Sequence, residues 1–156
     1  MVKNNVTRML EAKGISFQAF DLPAKKLSAL EAAQYLGVDP ELVFKTIVVT
    51  RAQRGKPVLA LVPAPREVDL KALARVLGEK KVYLASQKDA ERITGLRVGG
   101  ISPLALLSRG FQVVIDSSAR SLEEIYLSGG QRGLNISLPP NELIELTNAS
   151  TAAISR

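Results

Sequence analysis

The chain has 156 residues, 46% of them hydrophobic and 23% charged, which is the composition of an ordinary globular domain with one core and no disordered tract. It contains no cysteine and no histidine, so disulfides, thiolate or imidazole metal sites, and Ser-His or Cys-His catalysis are excluded; any chemistry must use lysine, carboxylates, hydroxyls, backbone groups or the substrate itself. The formal charge of +6 favours a polyanionic partner without identifying it.

Residues 1–14 predict an amphipathic helix, with Val6, Met9, Leu10 and Lys13 at helical spacing and Gly14 as terminator. They lack a long apolar run, so no secretory signal is expected and cytoplasm is the default location. Residues 15–20 alternate as a strand and 21–26 form a loop. Ser28 and Glu31 make a capping box for a helix that stops at Gly37, and Asp39-Pro40-Glu41 starts a further helical turn.

That turn feeds the stretch Val43-Phe44-Lys45-Thr46-Ile47-Val48-Val49-Thr50, a strand whose alternation puts Lys45 on the same face as Val43, Ile47 and Val49. A lysine there must snorkel to an edge, pair with a carboxylate, or point into a cavity that takes an anion. Residues 51–57 are a polar connection and 58–62 the next strand, so the pattern predicts a hairpin. Leu70, Leu73, Ala74 and Leu77 mark a helix that ends at Gly78. Its outer face carries Lys71 and Arg75, followed by Lys80 and Lys81; the four form either a nucleic-acid contact or a solvated basic face.

Residues 82–85 are a short strand, and Ser86 caps a helix reaching Thr94. The loop Gly99-Gly100-Ile101-Ser102-Pro103 lets backbone amides approach a ligand closely. Residues 111–116 form a strand, Ser121 caps a helical turn over 122–124, and 125–128 and 134–138 are strands around a second loop, Gly129-Gly130-Gln131-Arg132-Gly133. A helix from Pro140 to Thr147 closes the pattern. Strands and helices are mixed with hairpin-like steps, which gives one α/β domain around a curved, mostly mixed sheet.

Each glycine loop is weak evidence alone, since neither has the spacing of a phosphate-binding fingerprint. In combination, Phe44-Lys45-Thr46, then Gly99-Gly100-Ile101-Ser102-Pro103, then Ile125-Tyr126-Leu127-Ser128-Gly129-Gly130-Gln131-Arg132-Gly133-Leu134 resembles the YbaK family, also called the prolyl-tRNA synthetase-associated or editing domain family. The resemblance covers nearly the whole chain and implies that the sheet is partly barrel-like and flanked by helices. It implies a hydrolase that clears wrong amino acids from tRNA, with cysteine on tRNA for proline as the YbaK-branch substrate. It implies Lys45, Gly100 and Ser128 as catalytic positions, with Gly99, Ile101, Ser102, Pro103, Gly129, Gly130, Arg132 and Asn135 around the substrate. The implied partners are the aminoacylated 3′ end of tRNA and a prolyl-tRNA synthetase, and neither cofactor nor metal is implied. Asn135 stands where YbaK-like members have aspartate and Leu96 where they have tyrosine, so the amino acid removed stays open. Three rival readings also stay open: a non-catalytic tRNA- or synthetase-binding module, a deacylase for another small amino acid such as alanine, and a hydrolase of another small activated acyl compound.

Overall fold

The computed structural model describes residues 3–52 and 55–156. The first helix, α1 (Asn5–Ala12), starts later than the sequence pattern suggests because Asn4 and Thr7 close a reciprocal capping box; Met1 and Val2 lie outside the described residues, as do Gln53 and Arg54 of the polar connection. Then come β1 (Gln18–Asp21), α2 (Ala29–Leu36) with its Ser28–Glu31 capping box, and a 3-10 turn over Pro40–Leu42 capped by Asp39. β2 (Phe44–Arg51), β3 (Val58–Pro63), α3 (Leu70–Leu77), β4 (Val82–Leu84) and α4 (Gln87–Thr94) follow in the order expected. The rest is β5 (Gln112–Asp116), β6 (Ile125–Ser128), β7 (Leu134–Leu138), α5 (Pro140–Thr147) and β8 (Ser150–Ala152).

The strands fall in two sheets, β1-β7-β6 and β4-β2-β3-β5-β8. The first is antiparallel throughout, while the second mixes the β2–β3 and β2–β4 antiparallel pairs with parallel β3–β5 and β5–β8 pairs. They meet at a parallel bridge between Val43 and Tyr126, which brings the entry of β2 beside β6. The largest core joins Phe44, Val48, Leu59, Leu61 and Ile115 of the five-stranded sheet to Leu127, Leu134 and Ile136 of the other, with Leu10 and Leu143 closing it. On the opposite face of the five-stranded sheet, α3 buries Leu73 and Ala74 against Val49, Ala60, Val62 and Val114. β3 is therefore covered on both faces, which explains its unbroken apolar run.

Three sequence-based expectations change. β1 begins at Gln18 and takes in Asp21, because its ladder is fixed by pairing to β7 from Gln18↔Ser137 to Asp21↔Leu134. Ser121 caps nothing; the helical turn lies before it, over Ser117–Ser121, with Asp116 accepting from the Ser118 amide. β8 was absent from the sequence reading. Its parallel pairing with β5 is secured by Asp116, whose carboxylate accepts the Ile154 and Ser155 amides at 3.0 Å each. Burial works against the Asp116 charge, but these bonds and those from Ser118 outweigh it and hold its pKa below the ordinary value.

Candidate active site

The second sheet leaves part of one strand edge open. β4 pairs only with Val49, Thr50 and Arg51 of β2, and the Ala85 amide donates to Val48 O as the chain leaves that edge. At the other end, Val43 O accepts from the Ala64 amide, so Val43, Lys45 and Ile47 direct their backbone groups toward β3. Phe44, Thr46 and Val48 direct theirs the opposite way. Between the Val43 bridge and the Ala85 bond, the outward backbone edge of β2 has no strand partner among the described residues, and there a cavity of about 320 Å³ forms. That volume is in the range of small-molecule sites. Residues from both faces of the strand line it, from Val43 through Val48.

Lys45 shares the α3-side face with Ile47 and Val49, as the alternation predicts, and it lines the cavity. Its Nζ donates to the carbonyl of Ala64 at 3.2 Å. Burial lowers its pKa below the ordinary lysine value, and the negative charge of Glu67 offsets part of that effect. The ammonium is thus half-buried and, among the described residues, held by one neutral acceptor, with two donor positions left for a ligand.

Of the residues expected around the substrate, Gly99, Ile101, Ser128 and Asn135 line the same cavity as Lys45. Ser128 Oγ donates to Gly99 O and accepts from the Gly130 amide, both at 3.3 Å, so it ties the two glycine loops together. No acid or base activates its hydroxyl among its bonded partners, which argues against a covalent serine nucleophile. Asn135 is 5% exposed and its Oδ1 has no partner among the described residues. A buried amide oxygen left unbonded costs stability; the residue lines the cavity but this atom is closed off from it, so the amide must rotate before a ligand donor can reach the oxygen.

The other predicted positions stand outside the cavity wall. Gly100 was expected to offer an amide to the reacting carbonyl, but its N–H donates to Arg97 O at 2.8 Å, and a Cβ there would lie 2.8 Å from Gln131 Cα. It is the point of closest approach between the two loops. Ser102 is fully buried and caps the 3-10 turn of Pro103 through the Leu104 amide. Gly129 and Gly130 pack against Leu134, Ala105 and Val6, and Arg132 spans the loops by donating its Nε to Val98 O at 2.8 Å. These residues build the site without facing its interior. The amides of Gly99 and Ile101, in contrast, have no hydrogen-bond partner among the described residues.

Several wall residues were missed from sequence. Leu22, Lys25, Leu27 and Ser28 come from the segment before α2, and Gln87 from the first turn of α4; Lys26 Nζ reaches Gln87 Oε1 at 2.8 Å between those two elements. The Ser28–Glu31 capping box was legible, but only the tertiary fold shows that α2 presents its N-terminus to the cavity. Lys71, Arg75, Lys80 and Lys81 are all exposed. Lys71 and Arg75 lie on α3, which supplies no wall residue, whereas Lys80 and Lys81 enter β4, the strand that leads to the wall residue Ala85.

A sequence profile of the aminoacyl-tRNA editing domain matches residues 24–146, the segment that contains every wall residue of the cavity except Leu22. The chain belongs to that family. The candidate Cys-tRNA(Pro)/Cys-tRNA(Cys) deacylase EbsC of Enterococcus faecalis is 35% identical over 155 residues, covering 98% of this chain and 93% of that protein. A proline--tRNA ligase of Desulforamulus reducens is 32% identical over 108 residues; these are 69% of this chain but 18% of the ligase, so the likeness is to one segment of a much larger enzyme. Among solved structures, a hypothetical protein superposes with a TM-score of 0.88 at 27% identity, covering 98% of this chain and 100% of its own. A candidate trans-editing enzyme for prolyl-tRNA synthetase gives 0.80 at 24% identity over 100% and 99% of the two chains, which shows the same fold. No helix among the described residues of this editing domain is long and apolar enough to cross a membrane.

Proposed function

We propose that this editing domain is a trans-acting aminoacyl-tRNA deacylase that releases cysteine from mischarged tRNA for proline. The observation that carries the reading is the convergence of Lys45, Gly99, Ile101, Ser128 and Asn135 on one cavity in a chain of this family. The likeness to EbsC over nearly both full lengths supports cysteine as the amino acid, and the likeness to a segment of proline--tRNA ligases supports a prolyl-tRNA synthetase as a further partner.

An aminoacyl ester is already activated, so orientation and stabilisation of the developing oxyanion are the main requirements. Lys45 anchors a phosphate of the terminal nucleotide. The free amides of Gly99 and Ile101 receive the carbonyl oxygen as negative charge develops on it, and Gly100 holds the loop that presents them. On rotation of its amide, Asn135 Oδ1 accepts from the α-ammonium of the aminoacyl group, and Ser128 sets the position of that group between the loops. With cysteine, the substrate sulfur attacks its own ester carbonyl: the S–C bond forms, the C–O bond to the ribose breaks, and the thiol proton passes to the departing ribose oxygen. The cyclic thioester left behind is opened by water.

Single-turnover deacylation of cysteinyl-, seryl- and alanyl-tRNA tests this mechanism. A substrate thiol is far more ionised and nucleophilic at neutral pH than a hydroxyl of nearly the same size, so the cysteinyl ester is expected to be cleaved at least about tenfold faster than the seryl ester. Comparable rates for all three would replace the thiol with a bound water. Saturable tRNA binding with no cleavage of any ester would favour the non-catalytic binding module.

The depressed pKa of Lys45 adds a pH prediction. A lysine whose pKa is lowered gives up its proton at a lower pH than an exposed one, so phosphate binding declines on the alkaline side before the ordinary lysine value of about 10.4. In the same window the unfolded chain holds more protons than the folded one, so this group makes stability rise with pH there. Affinity for an uncharged oligonucleotide ending in CCA, measured from neutral pH upward, is expected to fall in the wild type and to hold in Lys45→Arg, whose guanidinium stays charged. Parallel profiles in the two proteins would remove Lys45 from phosphate binding.

A further inference from the structure

β4 carries a surface feature that the cavity does not use. Two adjacent large side chains on it, Tyr83 and Leu84, are 44% and 57% exposed. Val82 is buried in the core beneath α3, so strand alternation turns Leu84 to the α3 side and Tyr83 to the other face, between Lys81 before it and Ala85 after it. Ala85 packs with the inter-sheet core and lines the cavity. The Lys81 ammonium lies 5.5 Å from the centre of the Tyr83 ring. One face of a short edge strand thus presents in sequence a cation, an exposed aromatic ring and the cavity wall, with successive members about 7 Å apart.

A large exposed ring at a strand edge is usually covered or charged against self-association. Here the neighbouring exposed charges, Lys80 and Lys81, are both positive, which fits an anionic occupant. Single-stranded nucleic acid is recognised by this pairing of a basic track with an aromatic platform. We propose that Tyr83 stacks against the base immediately 5′ of the aminoacylated adenosine, with Lys81 neutralising the adjoining phosphate, so that β4 guides the single-stranded 3′ end of tRNA into the cavity. The inference rests on the deacylase reading for the direction of the strand, and its partner is single-stranded polynucleotide of any sequence.

The test uses the full chain and an uncharged RNA oligonucleotide ending in CCA, with 2-aminopurine in place of the penultimate cytidine. Stacking quenches the fluorescence of that base. Wild type and Tyr83→Phe are expected to bind and quench alike. Tyr83→Ala is expected to lose the quench and about tenfold in affinity, while Leu84→Ala on the other face keeps both. An unquenched wild-type complex, no binding at all, or equal losses in Tyr83→Ala and Leu84→Ala would overturn the proposal. Deacylation of charged tRNA is measured beside it: Tyr83→Ala should raise KM and spare kcat. A wild type that stacks the probe but cleaves no ester would sink the deacylase and leave the platform standing, and a wild type that cleaves with Tyr83→Ala unchanged in both assays would do the reverse.

Discussion

Lys45→Ala is expected to remain folded and to lose about 100-fold in single-turnover deacylation. Among the described residues the ammonium makes one bond, to the Ala64 carbonyl, and its charge is disfavoured by burial. Removing it leaves the buried apolar side chains of β2, Phe44, Val48 and Val49, in place. What is lost is the cation at the cavity wall, and with it the placement of the terminal nucleotide against the amides of Gly99 and Ile101. Misplacement on the scale of one ångström is enough for the predicted factor. The measurement pairs deacylation kinetics with a thermal melt. Full activity in a folded variant would remove Lys45 from the site, and a variant that no longer folds would give the lysine a structural role.

Gly100→Ala should act through the scaffold instead. The added methyl would meet Gln131 Cα at 2.8 Å and Gln131 C at 2.9 Å, and backbone atoms cannot rotate aside as a side chain can. The two loops must separate, which is an overpacking cost of about 1–3 kcal/mol and a fall in Tm of several degrees. Separation also lengthens the Ser128 Oγ bond to Gly99 O, already 3.3 Å, so activity should fall together with stability. Gly95→Ala provides the comparison: its φ of +72° makes alanine strained, but nothing lies within 4 Å of the new methyl. It should destabilise by about 1–2 kcal/mol and leave the deacylation rate of the folded protein near wild type. If Gly100→Ala melts no lower than wild type and retains full activity, the loop contact has no structural weight.

The two predictions divide the site as the sequence and the fold divide it. Local patterns in the chain were enough for most elements, because their causes are local: Ser28 with Glu31 caps α2, Gly37 and Gly78 end helices in the left-handed conformation, and the apolar runs of β2 and β3 pair as a hairpin. The position of Lys45 on its strand face follows from alternation, and the order of the lysine, the first glycine loop and the serine carries the family resemblance. Long-range contacts decided the rest. β8 is three residues of Ser, Thr and Ala with no strand signal of its own; it forms because Asp116, far away in sequence, binds the amides that follow it. The resemblance gave Gly100 the catalytic position and Gly99 a place beside the substrate, whereas it is Gly99 that faces the cavity and Gly100 that meets Gln131 and closes the loops, a contact no local spacing encodes. The cavity itself exists because β4 stops short along β2 and α2 and α4 flank the uncovered edge, a matter of where distant elements end that no local spacing encodes.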